Sequence, residues 1–481
     1  MRFVITKTVL LVAAFCVAAV ITSSAQTLTT LASFNGTNGS GPAASLVEGF
    51  DGDLYGTTSY GGSSANCTQS RGCGTVFKIT PAGTITTLHN FCAQANCRDG
   101  QFPTAGLVLA TNGNFYGTTL SGGASGEGTV FEIAPTGKLI TLYSFCAHTN
   151  CADGSAPVAG LVQATNGSFY GTTSAGGTYG DGTAFAITAT GTLTTLHSFG
   201  FSDGVAPLEG LTLAISGNLY GSTFEGGNIC NVNEFQGCGT IFEITPAGKY
   251  TTLFKFEDPT TTGNYAPLLQ ATNGTFYGME SGGGTYDYGR VFTMTATGSL
   301  TTLHRFDNTD GAYPQAPLVQ ASNGNFYGTT PNGGANSYGT IFEITASGTL
   351  TTLYSFCSQT GCTDGAYPQA ALLQGTNGTF YGTTAGACTV DCGTVFSISV
   401  GLGPFVETLP TSGRIGTKIV ILGNNLTGST SVTFKGATAA FTVVSDGEIT
   451  ATVPTGATTG TVTVVTPTGA LKSNSIFRVT K

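Results

Sequence analysis

The chain has no tryptophan, three methionines and four histidines among 481 residues, and Asp, Glu, Lys and Arg together make up only 9% of it. So thin a supply of ionisable side chains leaves few ways to assemble a nucleophile and a base. Missing Trp also removes one platform on which sugars stack. Beyond the first 25 residues no stretch is apolar enough to span a bilayer. Bases are scarce where repeats dominate: residues 26–403 hold 22 acids against 8 Lys and Arg, and residues 404–481 hold 3 acids against 6 bases. No basic stripe suited to phosphate is present, which argues against a nucleic-acid partner.

What the chain has in abundance is one repeated unit. Seven aromatic or apolar triplets end in Tyr-Gly, at Tyr55, Tyr116, Tyr170, Tyr220, Tyr277, Tyr327 and Tyr381, spaced by 61, 54, 50, 57, 50 and 54 residues. That is the length of a four-stranded propeller blade of the longer kind. Each unit holds an inner run starting at Leu46, Leu107, Leu161, Leu211, Leu268, Leu318 or Leu372, then the Tyr-Gly run. A third run carries Phe77, Phe131, Phe185, Phe242, Phe292, Phe342 or Phe396. A fourth, Thr-Thr-Leu or similar, ends at Phe34, Phe91, Phe145, Phe199, Phe256, Phe306 or Phe356. The first copy of the fourth run precedes the first full unit and none follows Phe396. The pattern therefore predicts an all-β, seven-bladed β-propeller over residues 26–400, closed by the segment Thr27 to Phe34 pairing into the last blade, residues 372–399.

Between the first two runs stands Asn-Gly in five units, with Asp51-Gly52 and Ser216-Gly217 as variants, the chemistry of a two-residue hairpin. Twelve of the 13 cysteines follow residue 25 and fall into close pairs. Cys92 with Cys97, Cys146 with Cys151, and Cys357 with Cys362 follow the fourth run; Cys67 with Cys73, Cys230 with Cys238, and Cys388 with Cys392 precede the third. Units with shorter loops lack both cysteines together, so six local disulfides are expected. Zinc is the competing reading, but these pairs sit in separate units without a four-ligand cluster, and no metal or other cofactor is expected.

Arg2 and Lys7, an apolar run from Val9 to Ile21, and the small residues Ser23 and Ala25 form a secretory signal over residues 1–25. The mature chain is expected to be secreted or at the cell surface, without a membrane span. The repeats resemble the GloVer tandem repeat of exported bacterial proteins over roughly residues 27–399, a resemblance that carries no activity and no catalytic residues. After Gly403 the units stop and alternating apolar residues begin. Residues 404–481 resemble the IPT/TIG immunoglobulin-like family, with signposts at Pro410, Gly413, Gly416, Gly423, Phe434, Gly436, Pro454, Gly460, Pro467 and Gly469. This resemblance implies a small β-sandwich serving as a spacer or binding module.

Candidates for chemistry are few. His89, His197 and His304 fill a slot held elsewhere by Tyr143, Phe254 and Tyr354, which points to packing or surface use, and His148 lies within a cysteine loop. Asp99, Asp153, Asp203, Asp310 and Asp364 each precede Gly between units and read as Asx turns in preference to a calcium site. Glu48 and Glu209 are the acids of the inner runs, read as standing where other units have Gln or a similar residue. The repeated Phe-Tyr-Gly reads as packing between blades. Loop tyrosines Tyr60, Tyr179, Tyr286 and Tyr338 are the ligand-binding candidates. The leading expectation is an exported, non-enzymatic recognition or surface-interaction protein for an extracellular glycan or protein. The alternative is a propeller hydrolase or lyase acting on an extracellular polymer.

Overall fold

The computed structural model describes residues 26–231, 236–257, 266–283, 286–386 and 393–480. The expected signal segment 1–25 and the pair Cys388 and Cys392 lie outside the described residues, as does the side chain of Cys230.

Among the described residues, seven four-stranded antiparallel sheets precede residue 400, a propeller-like repeat fold. Sheet 1 comprises Val47–Glu48, Leu54–Thr58, Thr75–Ile79 and Ile85–Asn90, in that spatial order. Sheets 2 to 6 repeat it. Sheet 7 takes Leu373–Gln374, Phe380–Thr384 and Thr394–Ile398 from one part of the chain and Leu28–Ser33 from another. The register runs from Leu28 opposite Ile398 to Ser33 opposite Thr394. The N-terminal strand thus covers an edge that would otherwise expose its backbone groups.

The repeated residues have separate jobs. Gly56 of the Tyr-Gly pair faces Phe77 across the ladder, and a Cβ there would stand 2.7 Å from the Phe77 ring and 2.8 Å from a Leu46 methyl. No side chain fits at that position, so the motif needs Gly for space. The Tyr before it is buried and reaches the next sheet: Tyr55 stacks on Phe115 at 4.1 Å, Tyr116 on Phe169 at 4.1 Å and Tyr277 on Phe326 at 3.9 Å. In most sheets the Phe ending the fourth run meets the third-run Phe of the following sheet edge to face, as Phe91 does with Phe131 and Phe356 with Phe396. Phe34 does the same with Phe77 at 5.0 Å, joining sheet 7 to sheet 1.

Polar bonds repeat the same step around the fold. Thr57 donates to the Ala105 carbonyl of the next sheet, Thr118 to that of Ala159 and Thr329 to that of Ala370; Thr383 of sheet 7 donates to Ala44 of sheet 1 at 3.3 Å. Within most sheets a buried pair of Thr hydroxyls bridges the second and third strands, for example Thr58 and Thr75 at 2.8 Å. Sheet 5 replaces that pair by an ion pair of Glu280 and Arg290.

The turns between first and second strands differ from the expected two-residue form. In sheet 2 the Gly113 N–H donates to the Ala110 carbonyl and Gly113 alone has positive φ, at 81°. Asn112 stays out of the left-handed region and uses its side-chain oxygen to accept from the Asn114 N–H at 3.1 Å. A longer loop with Gly in the left-handed position and an Asx bond therefore replaces the tight turn.

Residues 404–480 form two further four-stranded sheets. One holds Glu407–Leu409, Lys418–Leu422, Glu448–Thr452 and Phe441–Val443; the other holds Ala437–Thr438, Ser431–Phe434, Val462–Thr466 and Gly469–Lys472. Ile421, Val432, Phe434, Ile449, Val464 and Phe477 form their shared core. This unit rests on the hairpins that join first and second strands. Leu409, Val420 and Leu422 pack with Phe50, the Phe405 N–H donates to the Thr376 carbonyl at 2.9 Å, and Arg478 lies beside Gly217. Those hairpins belong to sheets 1, 7 and 4, so one face of the repeat fold is covered near its centre.

Candidate functional site

The expected histidine and aspartate candidates turn out to be partners. His89 Nε2 lies 2.9 Å from Asp99, His197 Nε2 2.8 Å from Asp203, and His304 Nε2 2.7 Å from Asp310. Where the slot holds Tyr, its hydroxyl donates to the same aspartate, Tyr143 to Asp153 at 2.9 Å and Tyr354 to Asp364 at 2.7 Å. Each carboxylate also accepts backbone N–H groups of its own loop, as Asp99 does from Ala93 and Gln94. Burial alone would raise the Asp99 pKa, but the His89 and backbone donors outweigh it and hold the carboxyl below its ordinary value. These groups tie the connection between sheets and are consumed in doing so.

The cysteine loops are built as expected where they are described. Disulfides join Cys67 to Cys73, Cys92 to Cys97, Cys146 to Cys151 and Cys357 to Cys362, and Cys238 is also disulfide-bonded. Sulfur atoms of Cys67, Cys73 and Cys92 gather within 4.8 Å. All three are oxidised in bridges and offer no thiolate to a metal.

Glu48 occupies a place in a second inter-sheet ladder. Gln163, Gln270, Gln320 and Gln374 each accept from a backbone N–H in the hairpin of the preceding sheet, such as Thr272 to Gln320 at 2.8 Å. Glu48 accepts from both the N–H and the hydroxyl of Thr376, each at 2.8 Å, and so joins sheet 7 to sheet 1. Burial raises its pKa against the lowering effect of those two bonds. Its Gln-like role agrees with the pattern.

Glu209 does not share that role. Its carbonyl takes the Thr172 hydroxyl at 3.2 Å, the bond that Ala105, Ala159, Ala370 and Ala44 accept in other sheets. The slot is an alanine slot, and Glu209 is the exception in it. Glu209 therefore does not stand where other units have Gln: that position lies four residues further on, and Glu209 stands two residues before Leu211, as Ala44 does before Leu46 and Ala159 before Leu161. Glu209 lines a central cavity of about 300 Å³ whose other lining is neutral, including Gln315 and Gln369. Burial in those walls pushes its carboxyl up to about 8.

The tyrosine candidates separate into two groups. Tyr60 and Tyr338 line one groove of about 740 Å³, together with Tyr367, Arg71 and Gln369. Tyr179 and Tyr286 lie outside it, both strongly exposed; Tyr179 stands against Gly200. In the groove Tyr338 and Tyr367 meet edge to face at 5.5 Å and remain 37% and 38% exposed, so their faces are open to a ligand. The Arg71 guanidinium lies 4.4 Å above the Tyr60 ring, a cation–π contact. Tyr367 precedes Pro368 with φ of 57°, held by its N–H to the Tyr338 carbonyl at 2.9 Å. A non-Gly residue in that region costs about 1–3 kcal/mol and persists where surrounding structure enforces it. Phe102 and Tyr313 take the same left-handed conformation before Pro103 and Pro314. Aromatic residues in the slot before Pro were the signal that would have added Tyr367 to the candidates.

The groove and the central cavity adjoin at Ala43 and Gln369, which line both. This mouth opens on the face opposite the hairpins that carry residues 404–480.

A propeller-like repeat fold with disulfide-tied loops is thus defined, and comparison with known proteins places it. The Gloeobacter/Verrucomicrobia repeat matches residues 18–235 and again 228–463, and the chain belongs to that family. No curated protein matches the chain. Among solved structures, a fungal alcohol oxidase of the AA5 family in complex with copper is similar at 13% identity, covering 95% of this chain and 99% of its own, with a TM-score of 0.50. A puromycin hydrolase is similar at 12% identity over 81% of this chain and 62% of its own, with a TM-score of 0.44. A gluconolactonase from Xanthomonas campestris is similar at 10% identity over 60% of this chain and 82% of its own, with a TM-score of 0.37. At 13% identity the likeness to the alcohol oxidase is one of fold alone.

Proposed function

We propose that the protein is an exported or cell-surface recognition protein that binds carbohydrate at the aromatic groove of a seven-bladed ring. In this reading residues 1–25 are a signal peptide and residues 26–400 form the ring, which its N-terminal strand closes. Residues 404–481 are an immunoglobulin-like β-sandwich of the IPT/TIG kind, acting as a spacer on the opposite face. The repeated contacts from sheet 7 to sheet 1 support the ring. The disulfides are compatible with an oxidising, extracellular setting, and no helix among the described residues is long and apolar enough to cross a membrane.

The observation that carries the reading is the open pair Tyr338 and Tyr367 facing Tyr60 across one groove. Electron-rich ring faces attract the polarised C–H groups of a sugar face, and nearby amides and hydroxyls meet its oxygens. The volume falls in the range of about 300–1,000 Å³ usual for ligand sites. A glycan array probed with the full mature chain tests this directly. Binding to particular glycans that falls at least tenfold in Tyr338→Ala and Tyr367→Ala is expected; an array with no signal contradicts it.

The second reading, a hydrolase or lyase, has Glu209 in its favour as an acid kept protonated near neutral pH. Hydrolysis of a glycosidic bond ordinarily needs a second carboxylate, and among the described residues lining the central cavity Glu209 is the one ionisable group. Among the described residues the one group of three potential metal ligands, Cys67, Cys73 and Cys92, is tied up in disulfides. Release of new reducing ends from a bound polymer, lost in Glu209→Gln, would favour the enzyme.

A further inference from the structure

We infer that the cavity beneath the groove is an end pocket: the terminal unit of a neutral glycan enters it and hydrogen-bonds Glu209, while preceding units lie on Tyr338 and Tyr367. The inference rests on the carbohydrate reading above and adds to it which part of the ligand is recognised.

Three independent observations point this way. First, Glu209 breaks a slot that is otherwise alanine, in Ala44, Ala105, Ala159, Ala266, Ala316 and Ala370. Its carbonyl still makes the Thr172 bond, so the fold has no need of the longer side chain. Among the described residues its carboxyl makes no hydrogen bond or ion pair, and the residue is half-buried. A half-buried carboxyl without a protein partner keeps its donor and acceptors free for a ligand.

Second, the cavity adjoins the aromatic groove at Ala43 and Gln369 and is small, about 300 Å³ against 740 Å³ for the groove. A chain lying across the groove can put one end into it but cannot pass along it, because residues 404–480 cover the other face. Asn424 donates to the Thr376 hydroxyl there, and the backbone at Gly447 lies against the Phe50 carbonyl.

Third, the lining chemistry suits a neutral polyol. Apart from Glu209 the walls are Ala, Gly, Pro, Leu and other neutral residues, Gln315 and Gln369 among them. A protonated carboxyl donates one hydrogen bond and accepts others, as an amide does. Hydroxyls, which also do both, pair with such a wall without leaving a charge uncompensated.

The test is calorimetric titration of the full mature chain with maltohexaose, cellohexaose, mannohexaose and xylohexaose, and with longer chains of the same sugars. An end pocket predicts that one or more hexaoses bind and that affinity per chain is unchanged by greater length. Glu209→Ala should weaken binding at least tenfold, and Glu209→Gln should restore part of it. Tyr338→Ala should weaken binding as well, and each variant's far-UV circular dichroism reports whether the fold is intact. Binding that requires Tyr338 but is indifferent to Glu209→Ala, or that grows in proportion to chain length, overturns the end pocket and leaves the carbohydrate reading standing. Failure of every hexaose to bind the wild-type chain overturns both.

Discussion

Replacing Phe34 by Ala separates a closed ring from an open one. Phe34 lies just beyond the N-terminal strand, is 2% exposed, and meets Phe77 edge to face at 5.0 Å and 71°. Its cluster joins Leu46, Leu54 and Ile79 of sheet 1 to Tyr381 and Val395 of sheet 7. Truncating a buried Phe removes its transfer energy and leaves a cavity, at a cost of about 3–5 kcal/mol. In a cooperative unit of several hundred residues, about 4 kcal/mol lowers Tm by roughly 5 °C. Phe91 is the internal control. It is fully buried and meets Phe131 at 5.3 Å and 65°, the same contact between sheets that the chain joins in sequence. Differential scanning calorimetry of the mature chain should show Phe34→Ala and Phe91→Ala falling together, within about 1 kcal/mol of each other. If Phe91→Ala melts low while Phe34→Ala melts with the wild type, the N-terminal segment is a tail and the ring is not closed by it.

Other expectations follow from the loops and the central cavity. Burial lifts Glu209 from its ordinary 4.5 to about 8, so the native state holds that proton more tightly than the unfolded chain does, and stability is lost as pH rises across that window. Glu209→Gln should therefore gain on the wild type in melting between pH 5 and pH 9, by on the order of 2 kcal/mol after allowance for water in the cavity; parallel curves would refute this. Asp99→Ala, which strands the Ala93 and Gln94 N–H groups and His89, should cost about 2–4 kcal/mol by urea denaturation, with Asp99→Asn costing less. Each described disulfide closes a loop of only five or six residues, so removing Cys146 and Cys151 together should cost about 2 kcal/mol or less and raise protease cleavage in that loop alone. Peptide mapping without reduction should recover those four pairs.

The sheets were legible because every strand carries its own reason in the sequence. The Gly of Tyr-Gly marks where a Phe ring lies on the backbone, and the displaced Thr-Thr-Leu run before the first unit marks the strand that pairs with Thr394–Ile398. The aspartate ties were half legible. His or Tyr fills the slot in each unit that has Asp before Gly; Ala32 goes with Asn38, and Phe254 with the unit that has no such Asp-Gly pair. That correlation names the partners, but reading each slot alone hides it. The turns were misjudged because Asn-Gly suits both a tight turn and a longer loop in which only Gly is left-handed. The groove lay beyond reach, since Tyr60 and Tyr367 are 307 residues apart in sequence and meet only through the joining of sheet 7 to sheet 1. Glu209 was visible as an unusual acid, and its slot was legible too from its place two residues before Leu211, where the other units have Ala; the Thr172 bond agrees with that register.

A crystal structure of the full mature chain soaked with the strongest-binding oligosaccharide from the array tests the central claim most directly. Carbohydrate recognition at the open mouth predicts sugar density between Tyr60, Tyr338 and Tyr367. Density confined to the outer strands of the sheets or to residues 404–480, with that groove empty, would contradict it.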